Sequence, residues 1–218
     1  MAVMSPHKSL TTRVGTGTNW TRRLVRAARV RKERLFGRWW LWRFLALDSR
    51  THEEIRVGAH PRFYVPVRAN GEGRITIGDN NVFGFPLSHR LGNGEILLQA
   101  RTPEAEIVLG SDNMINNNCA IYCTQQVLIG NSCLLGEQVG IYDSDFHNVS
   151  PVRRREREVP SAPIKVGNNV WIGSRAMILK GVTIGDNTVI GAMSLVTRSL
   201  PANCVAAGVP ARILREIT

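Results

Sequence analysis

The chain has 218 residues, of which 43% are hydrophobic and 21% are charged, and its formal net charge is +11. This apolar content is ample for a folded core and excludes a chain that is disordered throughout. No apolar run approaches the roughly 18 residues that a membrane-spanning helix needs, and no hydrophobic leader opens the sequence. We therefore expect a cytoplasmic protein, in which any membrane contact is peripheral and lies at the inner face.

The positive charge is concentrated near the start of the chain. Residues 1–70 hold 15 basic and 4 acidic residues, whereas residues 71–218 hold 13 of each. The basicity is therefore a property of the first segment, and the remainder is neutral overall. We divide the chain into a basic N-terminal helical or capping segment, residues 1–70, and a repeat domain, residues 71–218.

A helix is predicted over residues 21–47, where apolar residues recur three, four or seven positions apart with arginines between them. One role is to cover the open end of the repeat domain with Phe44 and the neighbouring tryptophans. Another is peripheral contact of residues 20–47 with an anionic membrane, since arginine lies beside tryptophan. Nucleic-acid binding is the weakest interpretation because no recognised motif accompanies the basic residues, so no nucleic-acid partner is expected.

Short apolar repeats begin in the domain that follows and are interrupted twice. The first repeats lie at residues 77–84, the period is lost between residues 85 and 106, and repeats resume over residues 109–141. The first gap contains a glycine-rich turn, so we expect either distorted strands or an excursion from the regular structure. The second gap, residues 143–163, holds His147 and a run of arginines. With three hexads in each coil, the sequence predicts about four to five coils.

Residues 166–196 carry the most regular pattern in the sequence. A branched apolar residue recurs every six positions, at Val166, Ile172, Ile178, Ile184, Ile190 and Val196. A period of six does not match the roughly 3.6-residue turn of an α-helix. It matches a solenoid of very short strands, in which each hexad points one side chain into the core and then turns a corner. The tail from Ala202 is expected to close this solenoid, with a short helix over residues 212–218.

The four cysteines lack the paired spacing of a metal site. Cys119 and Cys133 each fall four positions after an apolar repeat residue. Elsewhere in the repeats this position carries small residues that would form a second inner row. We therefore expect reduced cysteines in the core, which suits a cytosolic chain, and no bound metal.

The repeats resemble those of hexapeptide-repeat acyltransferases, in particular the galactoside, maltose and polysaccharide O-acetyltransferases. The matching segments are residues 164–174, 181–186, 189–192 and 207–212. The resemblance covers roughly two thirds of the chain, from about Arg74 to the end. It implies an all-β fold, a left-handed parallel β-helix that ends in a short C-terminal segment. It also implies a homotrimer with acetyl-CoA as the acyl donor, bound in the groove between neighbouring subunits.

His147 is the residue on which the predicted chemistry depends. Transfer of an acyl group from a thioester to a hydroxyl needs a base with a pKa near neutrality, and imidazole supplies one. The resemblance places the family's catalytic histidine in the loop that leaves the β-helix, and His147 lies in the loop 143–163. Asp143 and Asp145 flank it, and either could orient the imidazole. The alternative is that both carboxylates are simply solvated.

The resemblance also implies the remaining site residues. Asn118 would position the acceptor hydroxyl, although a corner asparagine is also ordinary solenoid architecture. Ser174 would donate its backbone N–H to the thioester oxygen. The other residues implied along acetyl-CoA are Trp171, Ala192, Thr197, Arg198 and Arg212. The two arginines would meet the nucleotide phosphates, for which a guanidinium fork is well suited.

The resemblance predicts an acetyl-CoA-dependent O-acetyltransferase that acts on a sugar hydroxyl in surface polysaccharide or lipopolysaccharide biosynthesis. The basic, tryptophan-rich segment suits a saccharide acceptor presented at the inner membrane face. Two alternatives remain open: N-acetylation of an amino sugar, for which the same base would serve, and a non-catalytic trimeric scaffold. A zinc enzyme of this fold would need three histidines for the metal, and residues 71–218 hold only His89 and His147.

Overall fold

The computed structural model describes residues 19–48, 54–89, 91–156 and 159–218. After an N-terminal helix, the chain forms short strands that wind around a common axis, so that strands of successive turns pair in parallel. Three sheets result, which we call sides A, B and C in the order in which the chain visits them. The arrangement is an all-β, left-handed parallel β-helix, which confirms the predicted fold class.

The strands are numbered in chain order. Side A contains β1 (Ile55–Val57), β4 (Arg74–Ile77), β7 (Glu106–Leu109), β10 (Gln126–Ile129), β13 (Ile164–Val166) and β16 (Thr183–Ile184). Side B contains β2 (Arg62–Phe63), β5 (Val82–Phe83), β8 (Met114–Ile115), β11 (Leu134–Leu135), β14 (Trp171–Ile172), β17 (Val189–Ile190), β19 (Cys204–Gly208) and β20 (Ala211–Glu216). Side C contains β3 (Val67–Gly71), β6 (Ile96–Ala100), β9 (Ala120–Cys123), β12 (Gly140–Tyr142), β15 (Met177–Leu179) and β18 (Leu195–Val196).

One strand from each side makes a coil, and the described chain forms six complete coils, from β1–β3 to β16–β18. The expected count of about four to five was too low. The first coil begins at Ile55, inside the segment 1–70 that the sequence set apart from the repeats. It was not predicted because Pro61 and Pro66 interrupt its hexads, and Tyr64 stands where several later coils have a corner glycine. The expected excursion is present and occupies residues 84–95, between β5 and β6.

The six-residue period places one branched side chain of each strand in the core. Its members Val166, Ile172, Ile178, Ile184, Ile190 and Val196 are all buried, as predicted. The small residues of the second inner row are buried as well: Val170, Ala176, Val182, Thr188 and Ser194. Burying one such branched side chain stabilises the fold by about 1.5–3 kcal/mol. The core is therefore a continuous column that each coil extends by one layer.

The corner between sides A and B repeats one backbone conformation in every coil. Its residues His60, Asn80, Asp112, Ser132, Asn169, Asn187 and Asn203 have φ between 53° and 61°. Asparagine and aspartate tolerate this left-handed region better than other non-glycine residues because their short polar side chains bond locally. These side chains also bond from coil to coil: Asn169 Nδ2 donates to Asn187 Oδ1 at 2.9 Å, and Asn187 Nδ2 donates to Asn203 Oδ1 at 2.8 Å.

Helix α1 (Asn19–Arg43) continues into a π-helical turn (Phe44–Asp48), in agreement with the helix predicted over residues 21–47. Phe44 is fully buried, and its ring centroid lies 5.2 Å from that of Phe63 in β2. Gly37 permits this close approach, since a Cβ at this position would lie 2.6 Å from the Phe63 carbonyl oxygen. The C-terminal end of the helix therefore covers the first coil.

The remaining aromatic residues of the helix divide between core and surface. Trp40 and Leu41 pack partly buried against the core, whereas Trp39 and Trp42 stay largely exposed. The predicted docking of tryptophan on the first coil thus applies to one of these three tryptophans. In the part of the chain that the structure describes, no helix combines the length and the apolar character needed to cross a bilayer.

The C-terminal tail forms a strand where the sequence led us to expect a helix over residues 212–218. β19 adds a further parallel rung to side B, and β20 turns back antiparallel to β19. The edge of side B offers unpaired backbone N–H and C=O groups, and a strand satisfies them whereas an isolated helix of one or two turns is marginal.

All four cysteines are free and buried, as predicted. Burial raises the pKa of the Cys119 thiol to about 12, so this thiol stays protonated near neutral pH. Among the described residues, no group of three or more His, Cys, Asp or Glu is arranged to hold a metal ion.

Candidate active site

The loop 143–163 leaves the β-helix at the corner between sides C and A. It follows β12 and returns to the body at β13, and its two ends pair through an antiparallel bridge between Ser144 and Ser161. The amide of Ala162 donates to the Asp143 carbonyl at 2.9 Å. The loop is therefore an excursion that starts from a fixed base.

Asp143 holds the base of this loop against the neighbouring coil. Its side chain is fully buried. Its carboxylate accepts hydrogen bonds from the amides of Thr124, Gln125 and Gln126 and from the Thr124 hydroxyl, at 2.7 to 3.1 Å. These donors compensate for the cost of burying a charge. Asp143 therefore stabilises a turn, and its described bonds do not include the His147 imidazole.

Asp145 is the second carboxylate that the sequence offered as a partner for the histidine. It forms an ion pair with Lys180, which follows β15 at the same corner, three residues before the next coil begins on side A. Its own amide donates to the Pro160 carbonyl at 3.1 Å. Both acids that flank His147 are thus engaged with other groups, and neither orients the imidazole among the described contacts.

His147 itself is exposed, so its imidazole is accessible to a ligand. The preceding residue, Phe146, has φ +61° and packs its ring against Tyr122 and Tyr142, at centroid distances of 5.5 and 5.6 Å. The guanidinium carbon of Arg101 lies 4.7 Å from the Phe146 ring centroid and 5.4 Å from that of Tyr122. This aromatic cluster fixes the backbone immediately before His147.

The aromatic cluster was not predicted from the sequence because its members belong to separate segments of the chain. One signal could have found it: Tyr122 and Tyr142 occupy paired positions in the neighbouring strands β9 and β12. Gly140 makes room for the second ring, since a Cβ there would lie 2.9 Å from the Tyr142 hydroxyl oxygen. Burial raises the pKa of Tyr142, so its phenol stays protonated near neutral pH.

A second group of predicted residues lies along the corner between sides B and C. Asn118, Ser174 and Ala192 occupy this corner in the third, fifth and sixth coils. Asn118 has φ +61°, and its Nδ2 donates to the His89 carbonyl at 3.2 Å. Its side chain therefore anchors the excursion 84–95 to the β-helix.

Glu137 occupies the same corner in the fourth coil and also contacts the excursion. Its carboxylate accepts a hydrogen bond from Ser88 Oγ at 2.8 Å, and this bond lowers the pKa of Glu137. His89 Nδ1 lies 3.6 Å from the same carboxylate. The excursion is thus tied down by polar contacts to two successive coils.

Side C separates His147 from Asn118, Ser174 and Ala192 within one chain. The loop that carries His147 follows side C, whereas the other three residues precede it. A strand of about five residues spans roughly 15 Å at about 3.3 Å per residue. Thr197 and Arg198 follow β18 and therefore share the edge of the loop. A single chain does not bring all the predicted site residues together.

Two further predicted residues lie on side B. Trp171 is 54% exposed in β14, where it pairs with Leu134 on one side and Val189 on the other. Arg212 lies in β20, opposite Ala207 of β19. Both side chains are available at the surface of the described chain.

Comparison with known proteins places this architecture in a family. The model of the bacterial transferase hexapeptide (six repeats) matches residues 163–198. A galactoside O-acetyltransferase of Escherichia coli is 46% identical over 113 residues, which are 52% of this chain and 55% of that protein. A galactoside O-acetyltransferase of Lactococcus lactis is 37% identical over 108 residues, which are 50% of this chain and 52% of that protein. The chain thus spans about half the length of the curated relatives it matches.

A solved galactoside acetyltransferase in complex with coenzyme A extends the match. It is 30% identical, and the alignment covers 86% of this chain and 82% of that chain with a TM-score of 0.50. The similarity therefore includes the early coils as well as the most regular repeats. On this match, and on the sixfold period built into its core, the chain belongs to the hexapeptide-repeat acyltransferases.

Proposed function

We propose that this chain is an acetyl-CoA-dependent O-acetyltransferase that acts on a sugar hydroxyl. The observation that carries the proposal is its 46% identity over 113 residues to a galactoside O-acetyltransferase. The solved relative that holds coenzyme A supports acetyl-CoA as the donor. The acceptor is a saccharide of a surface polysaccharide or lipopolysaccharide precursor, since the basic, tryptophan-rich helix suits a substrate presented at the inner membrane face.

His147 acts as the general base in the proposed reaction. An imidazole nitrogen takes the proton of the acceptor hydroxyl while the hydroxyl oxygen attacks the carbonyl carbon of the thioester. The C–S bond then breaks, the acetyl group stays on the sugar oxygen, and the coenzyme A thiolate leaves and receives the proton from the imidazolium. The exposure of His147 and the packing of Phe146 beside it support this role. Asn118 positions the acceptor hydroxyl.

Groups on side B and at the two edges of side C are proposed to hold the donor. The Ser174 N–H donates to the thioester oxygen and stabilises the charge that develops there. The other contacts are Ala192 and Thr197 along the pantetheine arm, Trp171 beside it, and Arg198 and Arg212 at the phosphates. All five of these residues are exposed, as a binding surface requires.

The proposed site is shared between subunits of a homotrimer. His147 lies at one edge of side C and Asn118, Ser174 and Ala192 lie at the other, roughly a strand length away. If two copies pack side by side, one edge of each faces the opposite edge of its neighbour, and cyclic threefold symmetry closes the ring. Each cleft would then receive His147 from one subunit and Asn118, Ser174 and Ala192 from the next.

The enzymatic activity is tested by following thiol release from acetyl-CoA with a panel of sugar acceptors. We expect turnover in the wild type and a loss of about 10²- to 10⁴-fold in kcat for His147→Ala. The matched control is His60→Asn, which changes an exposed histidine at the corner between sides A and B, where asparagine tolerates the local φ of 56°. Unchanged turnover in His147→Ala would exclude the mechanism, and faster transfer to amino sugars would reassign the acceptor to an amine.

Co-expression of two inactive variants tests the shared site. His147→Ala and Asn118→Gly each remove one residue, and glycine keeps the φ of +61° at position 118 accessible. If each site takes one residue from each neighbour, random assembly of equal amounts of the two variants leaves about a quarter of all sites intact, and activity returns. Mixed trimers without activity, or a monomeric mass by light scattering, would argue against the shared arrangement.

The helix is also proposed to contact an anionic membrane while its C-terminal end covers the first coil. Trp39 and Trp42 are 49% and 60% exposed, and Leu35 and Phe36 lie exposed beside them. Arg38 is exposed in the same stretch. Aromatic and apolar side chains next to arginine are the composition of interfacial helices.

Cosedimentation with vesicles tests this contact. We expect the protein to bind phosphatidylglycerol vesicles and to release at high salt, and Trp39→Ser with Trp42→Ser to weaken binding. The control is Trp171→Ser, which removes an exposed tryptophan far from the helix in the sequence. Equal binding by the helix variant and the wild type would argue against membrane contact by this surface.

A further inference from the structure

Arg101 follows β6 at the corner between sides C and A, and its guanidinium is held in place from one face. The guanidinium carbon lies 4.7 Å from the Phe146 ring centroid and 5.4 Å from the Tyr122 ring centroid. Its Nε donates to Gln99 Oε1 at 2.8 Å. Stacking on aromatic rings and one side-chain hydrogen bond restrict a side chain that is otherwise among the most mobile.

Two cations of this corner and its loop are neutralised by nearby acids. Lys180 pairs with Asp145, and Arg153 pairs with Glu156 at 2.6 Å. Arg101 has no carboxylate within ion-pair distance among the described residues, and its two terminal amino groups form no hydrogen bond to those residues. It is thus a fixed and uncompensated positive charge, although it is exposed.

A guanidinium fixed in this way is prepared to bind an oxyanion. One face of the guanidinium contacts the aromatic rings, and Nε donates to Gln99. The edge that carries the two terminal amino groups is therefore available for a ligand. That edge donates two parallel hydrogen bonds to a carboxylate or phosphate. Because the aromatic rings already restrict the side chain, less conformational entropy is lost when the anion binds.

The position of Arg101 ties this anion to the reaction. Its guanidinium stacks on Phe146, the residue next to His147 in the chain. The acceptor sugar must approach His147 closely, because its hydroxyl proton goes to the imidazole. In acetyl-CoA, by contrast, the pantetheine arm separates the phosphates from the reacting thioester, which makes the acceptor the better source of the anion.

We propose that Arg101 is a specificity-determining residue that binds an anionic group, a carboxylate or a phosphate, on the acceptor sugar. This inference rests on the proposed acetyltransferase function and names its substrate class: acidic saccharides in preference to neutral ones. Tyr122 and Phe146 are the platform that positions the guanidinium.

The test compares two acceptors that differ at one carbon, methyl β-galactoside and methyl β-galacturonide. For the wild type we expect kcat/KM to favour the galacturonide by about tenfold or more, as a charge-assisted bidentate contact would give. Arg101→Gln should bring this ratio close to one, and Arg101→Lys should retain part of it. The matched control is Arg56→Gln, which removes an exposed arginine from side A.

Binding is measured separately so that the two proposals can fail independently. Titration of the galacturonide followed by ligand-observed NMR reports Arg101-dependent binding whether or not turnover occurs. Turnover with an acceptor ratio that Arg101→Gln leaves unchanged would overturn the inference and leave the acetyltransferase intact. A raised KM for acetyl-CoA in Arg101→Gln, at an unchanged acceptor ratio, would overturn it by assigning the arginine to the donor phosphates. Arg101-dependent binding without acetyl transfer would support the anion site and remove the proposed reaction.

Discussion

Two corners of the β-helix use their polar residues in opposite ways. At the corner between sides A and B, every coil carries the same turn, and the polar side chains bond to one another and to the next coil. At the corner between sides C and A, the chain leaves the body between β12 and β13 to form the loop 143–163. At the first corner, polar side chains form a ladder of hydrogen bonds from coil to coil. At the second corner, His147 and Arg101 are exposed and accessible to a ligand.

The difference shows where a repeat fold can carry chemistry. Asn187 in this ladder bonds to Asn169 in one neighbouring turn and to Asn203 in the other, so its side-chain amide is committed to the fold. An excursion breaks this pattern, and the residues beyond its base no longer have a partner imposed by the repeat. The loop therefore lacks the hydrogen bonds that the repeat would supply, and Asp143 and the Ser144–Ser161 bridge hold its base in place instead.

Among changes at the two corners, Asp143→Ala at the base of the loop is expected to lower the stability of the fold most. The change leaves the amides of Thr124, Gln125 and Gln126 without their acceptor, the fully buried Asp143 carboxylate, so we expect the free energy of unfolding to fall by about 2–4 kcal/mol. Urea denaturation followed by circular dichroism measures the loss.

The matched control for this prediction lies in the ladder. Asp186 is exposed and accepts bonds from the amide and side chain of Asn168, so Asp186→Ala should cost about 1 kcal/mol or less. Equal losses of unfolding free energy in Asp143→Ala and Asp186→Ala would show that the loop base and the ladder stabilise the fold to the same extent. That result would contradict the predicted difference between the two corners.

The next effect tests the backbone of the ladder. Asn187 has φ +59° and bonds to Asn169 and Asn203. Asn187→Ala should lower the free energy of unfolding by about 1–2 kcal/mol, because it removes both bonds and places a Cβ without polar support in the left-handed region. Asn187→Gly removes the bonds but relieves the strain, so its loss should be smaller. A lower urea midpoint for Asn187→Gly than for Asn187→Ala would contradict this explanation of the corner.

A smaller effect is expected from Lys180→Ala, which breaks the ion pair with Asp145. Both side chains are about one third exposed, so the free energy of unfolding should change by less than about 1 kcal/mol. Catalysis should respond more, because a loosened loop misplaces His147, and we expect kcat/KM to fall by about threefold or more. Lys165→Ala, an exposed lysine of side A, serves as the control. Identical kinetics in the two variants would show that the pair does not position the loop.

The smallest effect concerns the third corner, between sides B and C. The hydrogen bond from Ser88 holds the pKa of Glu137 below its ordinary value of 4.5. A lowered folded-state pKa stabilises the fold above the unfolded value, and that contribution is lost as the pH falls through the folded pKa. Ser88→Ala should therefore raise the Glu137 pKa toward 4.5 and reduce the loss of stability on acidification. NMR titration of the Glu137 carboxyl carbon measures the change, and an unshifted titration would assign the lowered pKa to another group.

Much of the body could be predicted from the sequence because its pattern is local. A branched residue every six positions requires a short strand and a corner, and the six branched residues of this pattern, from Val166 to Val196, are buried as the pattern demands. The helix over residues 21–47 was likewise predicted from the spacing of its apolar residues. The loop that carries His147 was visible as the place where the period stops.

Only the tertiary structure decided what surrounds that histidine. It placed Arg101 over Phe146, assigned Asp143 to a buried turn, and set His147 and Asn118 at opposite edges of side C. These contacts join residues that are far apart in the chain, and excursions of unequal length shift the register between them. Sixfold spacing fixes which side chains point inward, but the partners across coils depend on how the coils stack, and that stacking is a property of the whole fold.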